Sequence, residues 1–180
     1  MKIDPCLYTS SPSQEGRLEK EMLVYYTLES LKIPFERLDH EAVASIEDCE
    51  QIDKMLGLTI YKNLFLCNSK KDQYYLLIMP GNKTFQSSVV AGQIGSTRLS
   101  FGGADVLEDY LNLTPGSVSI TGLLYDKKKN VQLLIDKEIL ETEYFAFHPS
   151  INTSSIKIKT SDLIEKFIPY LEYDITYVTL

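Results

Sequence analysis

The stretch "IYKNLFLCNSKKDQYYLLIMPGNKTF", residues 60–85, decides the fold. Two near-continuous apolar runs, 61–67 and 73–80, flank a polar turn at Asn68 to Asp72, and such runs bounded by turn residues read as strands buried on both faces. A strand pair with no polar face belongs at the centre of a sheet. One cation, Lys62, stands at the mouth of the first run beside Asn63. It is either a solvated strand end or the anchor for an anionic ligand, and the rest of the chain must decide.

Upstream, residues 15–31 place Leu18, Met22, Tyr25 and Leu28 at helical spacing, which predicts a helix packing one apolar stripe on the sheet. "IPFERLDH" predicts a short strand carrying Phe35 and Leu38. In "SIEDCEQIDKMLGL", Ser45 and Asp48 form a capping-box-like start and Gly57 is placed to end the helix. Downstream, "TFQSSVVAGQIG" predicts a helix with a Gly95 stop, "TRLSF" a short strand, and "GADVLEDYLNL" a helix ending before Pro115. Strands follow in "NVQLLID", "EYFAF" and "SSIKIKT", with a short helix from Asp136 to Leu140 after the first. Thr160 or Ser161 is expected to cap a last helix, "SDLIEKFI", which Pro169 stops or bends.

This order mixes helices and hairpins without strict alternation, which disfavours a doubly wound nucleotide fold. It predicts an α+β (mixed α/β) single domain with a central mixed sheet surrounded by helices. Residues 1–14 read as a flexible amino-terminal segment, 15–168 as the domain, and the Tyr-rich 169–180 as a tail packing on the domain or on a partner. Monomer and homodimer both stay open.

A chain of 180 residues is long enough for one sizeable core. Its 44% apolar and 24% charged residues are those of an ordinary soluble protein. A net charge of −7 argues against broad adhesion to nucleic acid and leaves room for a local basic site. With no export leader and no run of the ~20 apolar residues a membrane span requires, a cytoplasmic location is expected. Three cysteines, odd in number and without a CxxC pair, suggest neither a disulfide framework nor a zinc site. No metal and no cofactor is expected.

The chemistry-bearing residues are few. "FGGADV" lacks GxGxxG spacing and no GxxxxGK[ST] occurs, so dinucleotide and P-loop readings fail. "PGSV" differs: Pro115 fixes a turn position, Gly116 can take positive φ, and the next amides are candidates for an oxyanion or a water. The two histidines, His40 and His148, stand at no metal-ligand spacing, and without GxSxG there is no nucleophile elbow. A Cys-His pair from Cys67 or Cys49 with His148 has no local support. Each histidine taken alone reads more readily as structural, and Lys127 to Lys129 read as a hairpin tip.

Taken together, "DHEAVASIED", "YKNLFLCNSKKDQYYLLIMPGNK", "STRLSF", "LNLTPGSVSITGLLYD" and "FHPSINTSSI" resemble, in order and spacing, the YbaK-like aminoacyl-tRNA editing domains, and among them the free-standing prolyl-tRNA editing proteins of the ProX type. The resemblance implies a deacylase that hydrolyses the ester joining a wrongly attached amino acid, alanine above all, to proline tRNA. It makes Lys62 the residue activity depends on, holding a phosphate or ribose oxygen of the terminal adenosine, with Asn63 beside it. It makes Gly116 the glycine of a GxxxP loop in which backbone amides of Gly116, Ser117, Val118 and Ser119 line the ester. Ile120 stands where that loop usually has proline, a departure that removes a φ restraint. His148, Asn152 and Thr153 match an "HPxxNT" segment framing the pocket opposite Lys62, and Val43 and Ile46 are implied pocket walls.

Such a site needs no nucleophilic side chain, because positioning a water and stabilising the oxyanion suffice for an activated ester. A pocket too small for proline would destroy only the mistake. The implied partners are the 3′ CCA end and acceptor stem of the tRNA, with prolyl-tRNA synthetase as a companion. Lys62, Lys70, Lys71, Lys83, Arg98 and Lys127 to Lys129 are candidates for the acceptor-stem path. Two other readings stay open: a catalytically weakened binding or regulatory module, motivated by Ile120, and a deacylase for another small amino acid such as cysteine or serine.

Overall fold

The computed structural model describes residues 1–43 and 46–180, with the backbone alone for Ile46 to Asp48. In chain order the elements are α1 (Glu19–Ser30), β1 (Glu36–Asp39), α2 (Ile46–Leu56), β2 (Lys62–Cys67), β3 (Tyr74–Met79), α3 (Ser87–Ile94), β4 (Ser100–Phe101) and α4 (Ala104–Leu111). A 3-10 helix at Ile120–Leu124 leads to β5 (Val131–Asp136), and a second, Lys137–Glu141, leads to β6 (Tyr144–Phe147) and β7 (Ser154–Lys159). The chain ends with α5 (Thr160–Asp162), a π-helical turn (Leu163–Phe167), α6 (Ile168–Tyr170) and β8 (Ile175–Val178).

The opening stretch folds as the antiparallel pair β2–β3, in register from Lys62 opposite Met79 to Cys67 opposite Tyr74. All six residues of β3 are buried, which is why the run has no polar position. It is the middle strand of the order β4-β2-β3-β5-β8, with β3, β5 and β8 parallel and the β4–β2–β3 side antiparallel. The strands divide between this mixed sheet and an antiparallel sheet, β1-β7-β6.

Side chains alternate across each strand, so every strand contributes to two surfaces. Phe65, Tyr74, Leu76 and Ile78 meet Phe145, Phe147, Ile156 and Ile158 of the other sheet in the main core. The opposite face of the mixed sheet, with Leu66, Leu77 and Met79, packs on Val90 and Ala91 of α3, Leu99 and Val178. A smaller cluster of Leu38, Ala146, Ile52 and Leu56 holds α2 on the outside of the antiparallel sheet. Each such aliphatic side chain contributes roughly 1.5–3 kcal/mol on burial, so a charged residue on either face of β3 would not be tolerated.

Several boundaries follow local rules. Gly57, at φ +71°, ends α2 with its own amide and that of Leu58 on the Asp53 carbonyl, and Gly95, at φ +65°, ends α3. The stop of α4 is Asn112 in the left-handed conformation, donating to the Glu108 carbonyl. The Ser45–Asp48 capping arrangement lies outside the described residues. Three expectations are corrected. Leu18 is not part of the α1 stripe: it is exposed and precedes the helix, leaving Met22, Tyr25 and Leu28 as the buried face. Neither Thr160 nor Ser161 caps the last helix, because it continues directly from β7 and the Thr160 amide donates to the Glu143 carbonyl at 3.0 Å. Pro169 does not stop the helix where it stands: the backbone stays in the right-handed helical region through the π turn to Leu171, and Pro169 lies in the last turn, directly after the π turn.

The segment expected to be flexible, 1–14, lies along β1, with Ile3 bridged to His40 and Tyr8 to Arg37, whose guanidinium covers the Tyr8 ring at 4.4 Å. The last residues add β8 to the mixed sheet beside β5.

Candidate functional site

Thr114–Ser117 forms a turn closed by the Ser117 amide donating to the Thr114 carbonyl at 3.0 Å. Pro115 takes its second position and Gly116, at φ +89°, its third, the arrangement that requires glycine. The Ser117 hydroxyl reinforces it, donating to the Thr114 carbonyl at 2.9 Å and accepting from the Thr114 amide at 3.2 Å. The Ser117 amide, expected to point at the ester, is therefore already used within the turn. Among the described residues no acceptor meets the amides of Gly116, Val118 and Ser119.

A buried hydroxyl network ties this loop to the segment after β6. Ser119 Oγ donates to the His148 carbonyl at 2.6 Å and accepts from the Thr121 amide at 3.4 Å. Thr121 Oγ1 lies 3.1 Å from that carbonyl and 2.8 Å from Ser150 Oγ. Ser119, Thr121 and Ser150 are fully buried, so these bonds replace lost hydration and fix the two segments together. A Cβ at Gly116 would stand 3.9 Å from Asn152 Nδ2, which places the turn against the "SINT" stretch. Ser119 is extended (φ −153°, ψ 154°) and Ile120 opens the 3-10 helix, a backbone that already suits proline at 120.

The two imidazoles meet at one end of the antiparallel sheet, ring centroids 6.1 Å apart. His148 Nδ1 is 2.9 Å from the Ser154 carbonyl, which can only accept, so Nδ1 carries the proton and Nε2 has a free lone pair. Among the described residues no donor reaches Nε2. His40 donates from Nδ1 to the Glu41 carbonyl at 2.8 Å, and its Nε2 accepts from Ser155 Oγ at 2.9 Å. Burial pushes both pKa values below the ordinary 6.5, and at His148 the neighbouring His40 adds to the effect. Both rings are neutral at pH 7. A cavity of about 320 Å³ adjoins His40, lined by Arg17, Glu21, Asp39, Ile151 and Thr153. Its carboxylates are paired: Arg17 reaches Glu21 and Asp39 at 2.6 Å each, and Arg37 also binds Asp39. Burial alone would raise the Asp39 pKa, but the hydrogen bonds from Arg17 and Arg37 prevail and hold it below the usual carboxylate range.

The site residues expected from the sequence divide into two groups. Gly116 to Ser119, His148, Asn152 and Thr153 are brought together, and Val43 joins them through its amide, 3.4 Å from the Asn152 carbonyl. The side chain of Ile46 lies outside the described residues. Lys62 has no contact with this cluster among the described residues: its ammonium is exposed and donates to the Lys83 carbonyl at 2.6 Å. Asn63 faces inward with Phe65, donating from Nδ2 to the Tyr61 carbonyl at 3.2 Å, while its buried Oδ1 has no partner. Cys67 Sγ lies by Ser100 Oγ and the Phe101 carbonyl, in β2 and not beside His148. Sequence reading missed Thr121, Ser150 and Ser155, and found in His40 only an isolated histidine. Ordinary hydroxyls far apart in the chain give no local signal.

Residues 40–166 match the family model described as aminoacyl-tRNA editing domain. The chain is 34% identical over 151 residues to the "Prolyl-tRNA editing protein ProX" of Acetoanaerobium sticklandii, covering 84% of this chain and 92% of that one. It is 26% identical over 141 residues to "Prolyl-tRNA synthetase associated domain-containing protein 1" of Bos taurus, covering 76% and 82%. Among solved structures, one described as a candidate trans-editing enzyme for prolyl tRNA synthetase superposes with a TM-score of 0.65 at 12% identity, covering 92% of this chain and 99% of that one, a likeness of fold. Matched over more than half its length by the family model and to most of its length by a relative above 30% identity, the chain belongs to the aminoacyl-tRNA editing domain family.

Proposed function

We propose that the chain is a trans-acting aminoacyl-tRNA deacylase of the cytoplasm that removes alanine from mischarged proline tRNA. Its similarity to a prolyl-tRNA editing protein supports the tRNA. The observation that carries the chemistry is the joining of the Pro-Gly loop to His148 by buried hydroxyls, which holds uncommitted amides and one free imidazole nitrogen on connected segments.

In this reading a water hydrogen-bonded to His148 Nε2 attacks the ester carbonyl carbon and gives that nitrogen a proton. The amides of Val118 and Ser119, with Gly116, receive the charge that builds on the carbonyl oxygen. The bond to the ribose oxygen then breaks, that oxygen takes the proton back, and alanine and intact tRNA leave. One donor of this kind is worth about 3 kcal/mol of barrier, so no serine or cysteine nucleophile is needed. Asn152, Thr153 and Val43 bound the acyl pocket, too small for proline.

Lys62 supplies the anchor: its ammonium exchanges the neutral Lys83 carbonyl for a phosphate of the terminal nucleotide, which adds charge–charge attraction to the hydrogen bond. Purified protein is expected to release alanine from mischarged proline tRNA, with Lys62→Ala losing the activity mainly through weaker binding. Equal, slow release by wild type and Lys62→Ala would end this reading. Running the same assay on cysteinyl and seryl versions of the tRNA identifies the preferred amino acid.

A further inference from the structure

The outer face of the mixed sheet, at its β4 edge, carries an aromatic and basic surface that the hydrolytic chemistry leaves unused. Phe101 is 67% exposed although its register partner, Leu66, is fully buried. Partners across an antiparallel ladder project to one face, so alternation along β2 sets Lys62, Leu64 and Leu66 on the face that bears Phe101. Half-buried Phe85 flanks it, ring centroids 6.3 Å apart, and Lys83, whose carbonyl holds the Lys62 ammonium, is two residues before Phe85. At the other end of the edge Ser69 Oγ donates to the Arg98 carbonyl at 3.2 Å, bringing Lys70 and Lys71 of the β2–β3 turn beside Arg98.

The cations differ in what they can offer. Lys83 is neutralised by Asp136 at 3.0 Å and Glu138 at 2.8 Å, and Lys129 is held on the Leu171 carbonyl over the Tyr173 ring. Among the described residues, Lys62, Lys70, Lys71 and Arg98 make no ion pair with a carboxylate, and all are exposed. The nearby Asp72 is engaged by Asn68 Nδ2 at 2.6 Å. On a chain of net charge −7, unpaired cations at both ends of one short edge, with an exposed ring between them, complement a flexible polyanion that carries flat bases.

We infer that this edge binds the single-stranded 3′ end of an RNA, with a base stacked on Phe101 and backbone phosphates on Arg98, Lys70 and Lys71 at one end and Lys62 at the other. That the RNA is tRNA rests on the function proposed above; the stacking surface itself does not. It leads the strand along the outer face of the sheet to Lys62.

The sequence contains no tryptophan, so Phe101→Trp places a single fluorescent reporter at the surface. Its emission is expected to be quenched by an uncharged acceptor-stem hairpin ending in a CCA overhang, and unchanged by the same hairpin trimmed blunt. Phe101→Ala should weaken binding of the tailed hairpin about tenfold while Phe101→Tyr binds like wild type. Arg98→Ala should lower the salt slope of binding by about one. With mischarged tRNA, Phe101→Ala should raise KM about tenfold at constant kcat. Thermal melts identical to wild type confirm that the variants fold.

A silent tryptophan, or wild-type binding by both alanine variants, overturns the inference. So does light scattering in which Phe101→Ala dissociates a dimer without changing RNA affinity. If the tailed hairpin quenches but no alanine is released, the surface stands and the deacylase fails. If alanine is released while Phe101→Ala and Arg98→Ala turn over with unchanged KM, the deacylase stands and the surface fails.

Discussion

His148 commits its Nδ1 proton to the Ser154 carbonyl, and burial with a second imidazole nearby keeps Nε2 unprotonated at neutral pH. The neutral ring is the form that accepts a water proton. Because its pKa lies below the ordinary 6.5, kcat/KM should be flat through neutrality and fall only as the pH drops below that value. His148→Ala should reduce kcat/KM by about 10²-fold or more and abolish the acid limb, as a pH–rate profile on both proteins will show. Ile120 is the other informative position. Extended Ser119 before it and the first 3-10 position at 120 already have proline-compatible backbone. Ile120→Pro should therefore fold and deacylate at least as fast as the parent, with a lower melting temperature because a fully buried isoleucine is lost. Restored hydrolysis from an inactive parent would instead favour a weakened binding module. Gly116 was legible in the sequence because turn chemistry is local, and Ile120 stood out only through the family resemblance; the tautomer of His148 was not legible, since its partner is fixed only by the fold.

At the scale of elements, the loop and the "HPSINT" segment act as one piece through Ser119, Thr121 and Ser150. Thr121→Val keeps the shape and removes the shared hydroxyl, leaving Ser150 Oγ without its partner in a buried site. The expected cost is about 1–3 kcal/mol in urea denaturation, with kcat falling in step as the amides lose their alignment. Unchanged stability with unchanged kcat would mean that the network is incidental. The β2–β3 pair and the Gly57 and Gly95 stops were readable, because burial on both faces and left-handed ends leave direct marks in the sequence. The start of the last helix and the passage through Pro169 were not. The first depends on a partner brought from elsewhere, the Glu143 carbonyl, and the second on a π turn just before Pro169 that no residue pattern announces.

For the whole molecule, two histidines with depressed pKa values link stability to pH. Below about 6.5 the unfolded chain binds protons that the native rings resist, so stability rises with pH across this window and is lost on acidification. The melting temperature should fall between pH 7 and pH 5.5, and less steeply in His148→Ala; parallel curves for the two proteins would contradict the burial described for this ring. The α+β class was legible from the irregular order of strands and helices. The division into two sheets was not, because β1 pairs with β7 across more than a hundred residues and β8 joins β5 in parallel, pairings without local signature. The same long-range closure brings His40 and His148 to one sheet end.

Single-turnover release of alanine and of proline from proline tRNA, at pH 7.5 with wild type and His148→Ala, bears most directly on the joined loop and imidazole as a hydrolytic site. Rapid alanine release by wild type, release slower by about 10²-fold or more with His148→Ala, and intact prolyl-tRNA with both is the expected result. Alanine release unaffected by loss of the imidazole, or proline released as fast as alanine, would contradict it.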